Sequence, residues 1–244
     1  MTISLVATSH GTDVPAAQVA ITALVDAVRD AAPDLDVREA FVDVQLPSVD
    51  TVMDVVPGLA VVVPLLLAPG FHVHVDIQGA ADRPWASAAG TLGPDDRLTA
   101  TMLRRLRAAG ATRDDVVVLG AAGSTDEGAR GSVDVAARML GTAWGAPIEV
   151  GYVGGSGVPI SDVVRRVALP GRRVVVVSYL VAPGFFFDRL CAGQADLVTR
   201  PLLDGTDVDP DLVSLVLDRF AAAAEHLDWA AAAPRPVLPV LPVR

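Results

Sequence analysis

The tetrapeptide Ala-Pro-Gly-Phe occurs twice, at 68–71 and at 182–185, each time directly after a Val-rich apolar run. Chance does not readily place one tetrapeptide in the same setting in both halves of a chain. The rest of the two halves overlays with it: Gly11-Thr12 falls on Gly123-Ser124, Pro47 on Pro159, and Leu67 to Phe71 on Val181 to Phe185. A repeat of this length is a duplicated module rather than a solenoid unit. The boundary falls at Gly110-Ala111-Thr112, giving an N-terminal module over 1–110 and a homologous one over 111–232. The remainder, 233–244, carries proline at every second or third position and reads as an extended tail.

Within each module short apolar runs alternate with amphipathic stretches. In the first, strands are expected at 3–7, 35–42, 58–67 and 86–89, and helices at 15–32, 47–55 and 95–109. Pro15 suits the first turn of its helix, with Thr12 or Asp13 as the cap. In the second, strands are expected at 115–119, 148–153 and 172–181, and helices at 128–140, 159–167 and 209–227. The runs at 58–67 and 172–181 are β-branched and continuous, the pattern of strands buried on both faces. The fold class that follows is α/β, with two tandem modules, each a parallel sheet flanked by helices, facing one another across a central cleft.

Composition narrows the function. A hydrophobic fraction of 52% supports a large core, yet proline, glycine or a charge interrupts every apolar run before the ~18 residues of a membrane span. No basic leader precedes the first strand, so no signal peptide is expected. The single Cys191 excludes an internal disulfide and suits the cytoplasm. Net charge is −10 and there is no lysine, a poor basis for binding nucleic acid.

The residues that the duplication did not keep are the informative ones. His10 falls on Ala122, and His72 falls on Phe186. Both histidines follow a buried parallel strand, at the carboxyl edge where open α/β sheets bind ligands. Neutral imidazole ligates Fe(II), Co(II), Ni(II) and Zn(II), and it is a base near neutral pH. Two imidazoles without a thiolate or a third histidine make an open site, fit for transient metal handling rather than a closed structural ion. A single histidine in such a turn is more often a plain surface side chain; the pairing at equivalent strand ends is what favours function. His74 faces either the same cleft or solvent, and His226, beside Glu225, reads as a surface residue.

Ser9-His10-Gly11-Thr12 resembles the His-Gly-Ser opening of the class II chelatases. The run from Val63 through Pro64, Gly70, Phe71, His72 and His74 to Asp76-Ile77 resembles that family's second signature, and Phe41 to Ser48 is similar to its strand-two segment. The resemblance extends to about residue 230 and identifies the chain as similar to the long, two-half form of the sirohydrochlorin chelatases. It implies insertion of Fe2+ or Co2+, as substrate and with no organic cofactor, into sirohydrochlorin, an intermediate of sirohaem and cobalamin synthesis. It implies that His10 and His72 bind the metal, and that Asp43, where the family usually has Glu, takes part in catalysis. The second half then shapes the cleft.

Sirohydrochlorin carries eight carboxylates. Backbone N–H groups at Gly11-Thr12 and Gly123-Ser124 suit such anions, and Ser9, Gly70, Phe71 and Phe186 complete the expected substrate contacts. Phe185 and Phe187 are further candidates for the macrocycle, with at least one of these phenylalanines expected in the core. The chain's own negative charge opposes a polyanion, so local arginines must offset it, with Arg83, Arg130 and Arg189 as candidates. A monomer or homodimer is expected, with no nucleic acid or membrane partner. Two other readings compete. Gly120-Ala-Ala-Gly123 lacks dinucleotide-binding spacing, and Gly154 to Gly157 lacks that of a nucleophile elbow. A non-catalytic tetrapyrrole or metal carrier on the same fold is the remaining alternative.

Overall fold

A computed structural model describes residues 3–70, 73–205 and 207–229, with backbone alone for Val73 and His74. The first half runs β1 (Ile3–Ser9), α1 (Pro15–Ala31), β2 (Asp36–Phe41), α2 (Val49–Val55), β3 (Leu59–Pro64), a π-turn (Val73–Ile77) leading into α3 (Gln78–Ala81), β4 (Ala86–Ala88) and α4 (Asp96–Ala108). The second half runs β5 (Val116–Ala121), α5 (Glu127–Trp144), β6 (Glu149–Tyr152), α6 (Ile160–Val167), β7 (Val174–Tyr179), α7 (Phe185–Cys191), β8 (Leu197–Val198) and α8 (Pro210–Ala224).

Two four-stranded parallel sheets result, ordered β2-β1-β3-β4 and β6-β5-β7-β8. The registers agree between them. Leu5 pairs Val61 in the first sheet, and Val117 pairs Val175 in the second, so the strands of the duplication superimpose residue for residue. One expected equivalence shifts by a residue. Phe41 bridges Ser48 while Tyr152 bridges Pro159, so Ser48 and not Pro47 occupies the place of Pro159. The strand-to-helix backbone sets the equivalence, and a shared proline at neighbouring positions does not.

β3 is buried at every position from Leu59 to Pro64, as its unbroken apolar run requires. Alternate residues serve two cores. Leu5, Ala7, Val61 and Val63 face a shared core that also contains Leu119, Val175, Val177 and residues of α1, α4, α5 and α8. Val6, Ala60 and Val62 face the outer side, against α2 and Ala80 of α3. The outer core of the second sheet closes with α6 and Leu190 of α7. α1 presents Ala17, Ala20, Ile21, Leu24, Val25 and Val28 inward at helical spacing. Truncating one such residue, Leu24 at 1% exposure, would cost about 2–5 kcal/mol.

The last helix of each half leaves its own sheet. α4 packs on α5 and β7, while α8 packs on α1, β3 and β4. The exchange is tied by ion pairs. Arg97 meets Asp218 at 2.5 Å, Arg104 meets Asp209 and Asp211, and Arg105 meets Asp204 at 2.8 Å. Arg219 of α8 donates to the carbonyls of Thr91 and Leu92 at 2.8 and 3.0 Å. Sequence order alone predicts that each helix covers its own sheet. The cap of α1 also differs from expectation: it is Val14, whose N–H reaches Thr12 Oγ1 at 3.1 Å. None of the described helices is long and apolar enough to cross a membrane.

Candidate functional site

β1 and β3 lie side by side in the centre of the first sheet, so the turns that follow them are neighbours at its carboxyl edge. Leu65 N donates to Thr8 O at 2.8 Å, Val42 N to Ser9 O at 3.0 Å, and Asp43 N to His10 O at 2.9 Å, which fixes the His10 backbone from both flanks. His10 is half-buried, with Nδ1 3.4 Å from Gly11 O. Gly11 sits at φ +89, and a Cβ there would lie 2.0 Å from Asp43 O. Gly123 repeats this at φ +100, 2.0 Å from Gly154 O. Only glycine tolerates both the conformation and the approach.

The turn after His10 is braced by side chains. Thr12 N donates to Gln45 Oε1 at 3.0 Å, and Gln18 Nε2 donates to Thr12 O at 2.7 Å. The second half matches it. Asp126 N donates to Ser124 Oγ at 3.0 Å, and Arg130 Nη1, in the place of Gln18, donates to Ser124 O at 3.2 Å. Ala122 occupies the His10 position and carries no titratable group.

The two carboxyl edges meet reciprocally. A Cβ on Gly70 would lie 3.9 Å from Ser124 Oγ, and one on Gly184 would lie 3.6 Å from Val14 Cγ2. Each loop after an inner strand therefore reaches the turn that opens the other half. Ser9, His10, Gly11, Thr12, Gly70, Gly123 and Ser124 are gathered in this region. Phe71 and His72 lie outside the described residues, as does the His74 side chain. Among the described residues no three His, Cys, Asp or Glu side chains cluster as a metal site.

The phenylalanines separate by burial. Phe185 and Phe186 are 63% and 46% exposed and pack edge to face at 5.4 Å. Phe187 packs into the outer core of the second sheet. Both exposed rings sit at the start of α7, a helix that the sequence pattern did not predict. Asp43 is exposed, and its Oδ1 accepts Val44 N at 2.8 Å. Ser9 Oγ is buried and finds no hydrogen-bond partner among the described residues.

The three candidate arginines also separate. Arg83 precedes β4, at the amino end of its strand, and is engaged by Asp50 at 3.5 Å and Asp54 at 3.2 Å. Arg130 meets Ser156 Oγ at 2.9 Å and carbonyls of the Ser124 turn, while Arg189 lies 5.8 Å from the Phe185 ring centre. Among the described residues no carboxylate pairs with Arg130 or Arg189.

Residues 4–109 match the CbiX family model. The match covers most of the first half of the chain. This match supports the chelatase resemblance read from the sequence. No curated protein matches the chain. Among solved structures, SirB from Bacillus subtilis with Fe3+ aligns over 94% of this chain and 100% of its own, at 18% identity and a TM-score of 0.77. The sirohydrochlorin chelatase SirB from Bacillus subtilis subspecies spizizenii, in complex with cobalt, aligns over 93% and 97%, at 19% identity and a TM-score of 0.73. CbiX, described as the terminal enzyme for biosynthesis of siroheme in denitrifying bacteria, aligns over 91% and 99%, at 20% identity and a TM-score of 0.65. At these identities the likeness is one of fold, and it takes in the segment that matches the CbiX family model together with the half that follows it.

Proposed function

We propose that this protein inserts a divalent metal ion, Fe2+ or Co2+, into sirohydrochlorin, with His10 and His72 as the residues that hold the ion. The observation that carries the proposal is the position of His10: a half-buried imidazole at the carboxyl edge of a central strand, within the segment that matches the CbiX family model. The segment to His72 starts from the adjacent strand β3. The named activities of SirB and CbiX support the same reading.

Insertion exchanges two pyrrole N–H protons for one metal ion. The incoming ion must shed water, and the protons need acceptors. A neutral imidazole serves both demands, as ligand while the ion is delivered and as base when it departs. The ring's carboxylates need donors around a flat centre. Arg130 and Arg189, which no carboxylate engages among the described residues, are the donors we assign to them, beside the Gly11 and Gly123-Ser124 turns. Arg83 is occupied by two aspartates at the far edge and is not needed. Asp43, bound to its own loop, acts on the site by shaping that loop.

Purified protein incubated with sirohydrochlorin and Fe2+, Co2+ or Ni2+ in parallel tests the proposal, followed by the absorbance of the metallated ring. Accelerated insertion of Fe2+ or Co2+ over the uncatalysed rate is expected. Binding of sirohydrochlorin without acceleration would assign a carrier instead.

A further inference from the structure

We propose that Val44 and Leu46 form an apolar lip that bears on the face of the flat macrocycle held at the His10 turn; this rests on the functional reading above. The loop containing them has the same frame in both halves. Phe41 N donates to Pro47 O at 3.1 Å, and Tyr152 N to Val158 O at 2.9 Å. Asp43 N donates to His10 O, and Gly154 N to Ala122 O, each at 2.9 Å. The register therefore places Val44 on Gly155 and Leu46 on Gly157.

Val44 has φ +62 and Gly155 φ +72. Glycine adopts this region freely, whereas a β-branched residue there is an outlier. The first half keeps the strained residue where its own duplicate shows that glycine forms the turn. The strain is held by neighbours. Gln45 N closes onto Asp43 O at 2.6 Å, Asp43 Oδ1 accepts Val44 N, and the Gln45 side chain accepts from Thr12 N. This clamp fastens the loop to the His10-Gly11-Thr12 turn.

The side chains so displayed do nothing for the core: Val44 is 58% exposed and Leu46 84%. Strain that persists with its side chain turned to solvent is the signature of a functional constraint. The exposed Phe185 and Phe186 directly follow Gly184, where a Cβ would lie 3.6 Å from Val14 Cγ2, two residues past the same turn. A ligand with apolar faces and a carboxylate rim fits apolar side chains beside backbone N–H donors. The second half cannot supply such a lip. A Cβ on Gly155 would lie 2.6 Å from Ser124 N, and one on Gly157 would lie 2.0 Å from the Tyr152 ring.

Titration of metal-free sirohydrochlorin, read by its own fluorescence, tests the lip in wild type, Val44→Gly, Val44→Asn and the Val44→Gly/Leu46→Gly double variant. The double variant is expected to bind about tenfold more weakly, with Co2+ binding in the absence of the ring unchanged by equilibrium dialysis. Val44→Gly should melt at or above wild type, because glycine relieves the strain. Val44→Asn keeps a residue that accepts the left-handed region and should weaken ring binding too. Wild-type affinity in the double variant, or a Val44→Gly protein that melts well below wild type, would overturn the lip while leaving the functional reading intact. A wild-type protein that neither binds nor metallates the ring would overturn both.

Discussion

The hydroxyl of Tyr179 donates to the carbonyl oxygen of Leu67 at 3.4 Å, so the end of β7 in the second sheet holds the start of the loop after β3 in the first. In the second half the equivalent carbonyl, Val181 O, accepts Leu203 N at 2.8 Å, an ordinary bond within one module. Burial and then the nearby Asp95 charge push the Tyr179 phenol well above its usual range, so it remains a donor at every physiological pH. Two residues beyond the described end of that loop, in sequence, stands His72.

Tyr179→Phe keeps the ring and removes the donor. Losing this part-buried hydrogen bond should cost about 0.5–1.5 kcal/mol, seen as a lower denaturation midpoint with an unchanged m-value. A variant that unfolds together with wild type would show that this bond adds nothing to the joint between halves.

His10→Ala and His72→Ala should each reduce insertion by about 100-fold or more, with circular dichroism spectra like that of wild type. His226→Ala, changed far along the chain after α8, should insert at the normal rate. Retention of full activity in either of the first two variants would remove the metal assignment.

Restoring imidazoles to the second half should harm rather than help. In Ala122→His/Phe186→His, equilibrium dialysis should count an additional metal ion per chain, while initial insertion rates fall. Phe186 is 46% exposed, so its loss spares the core and subtracts apolar surface offered to the ring. A faster enzyme would mean that the two walls of the cleft are interchangeable.

Acid should loosen the exchanged helices. Burial acts to raise the Asp209 carboxyl, but hydrogen bonds from Arg104 and the Asp211 N–H prevail and hold it below the usual range. Asp95 is likewise lowered, with burial outweighed by Arg97 and then Arg219. A depressed carboxylate contributes stability that is complete above its unfolded pKa, near 3.9, and is lost as pH falls through the folded value. Asp209→Asn should therefore cost on the order of 1 kcal/mol at pH 7, given partial exposure, or roughly 2–4 °C in melting temperature. At pH 3 the gap to wild type should shrink. An equal gap at both pH values would count against this origin.

The strands and long helices were legible because burial on both faces leaves continuous β-branched runs, and single-face burial leaves a helical period. Helices α2 and α6 and the β4 strand also fell where the pattern put them. The short α7 and β8 were missed, since seven and two residues carry too little period to register. His10 was singled out as a candidate by its contrast with Ala122. The conformation of Val44 was not, because valine is the residue least expected there; the signal was its alignment with Gly155 in a glycine-rich loop. The crossing of α4 and α8 leaves no local mark, as an amphipathic helix does not encode which of two sheets it covers.

That crossing imposes an order on synthesis. The inner face of β3 and β4 is covered by α8, which is made after every strand of both sheets. The part made first is thus finished last. Until then the apolar surface of Val61 and Val63 waits exposed, at an elongation rate of roughly 5–20 residues per second. A chain halted before the last helix would hold an N-terminal half whose outer core is closed by α2 and α3 but whose inner face lacks its α8 cover.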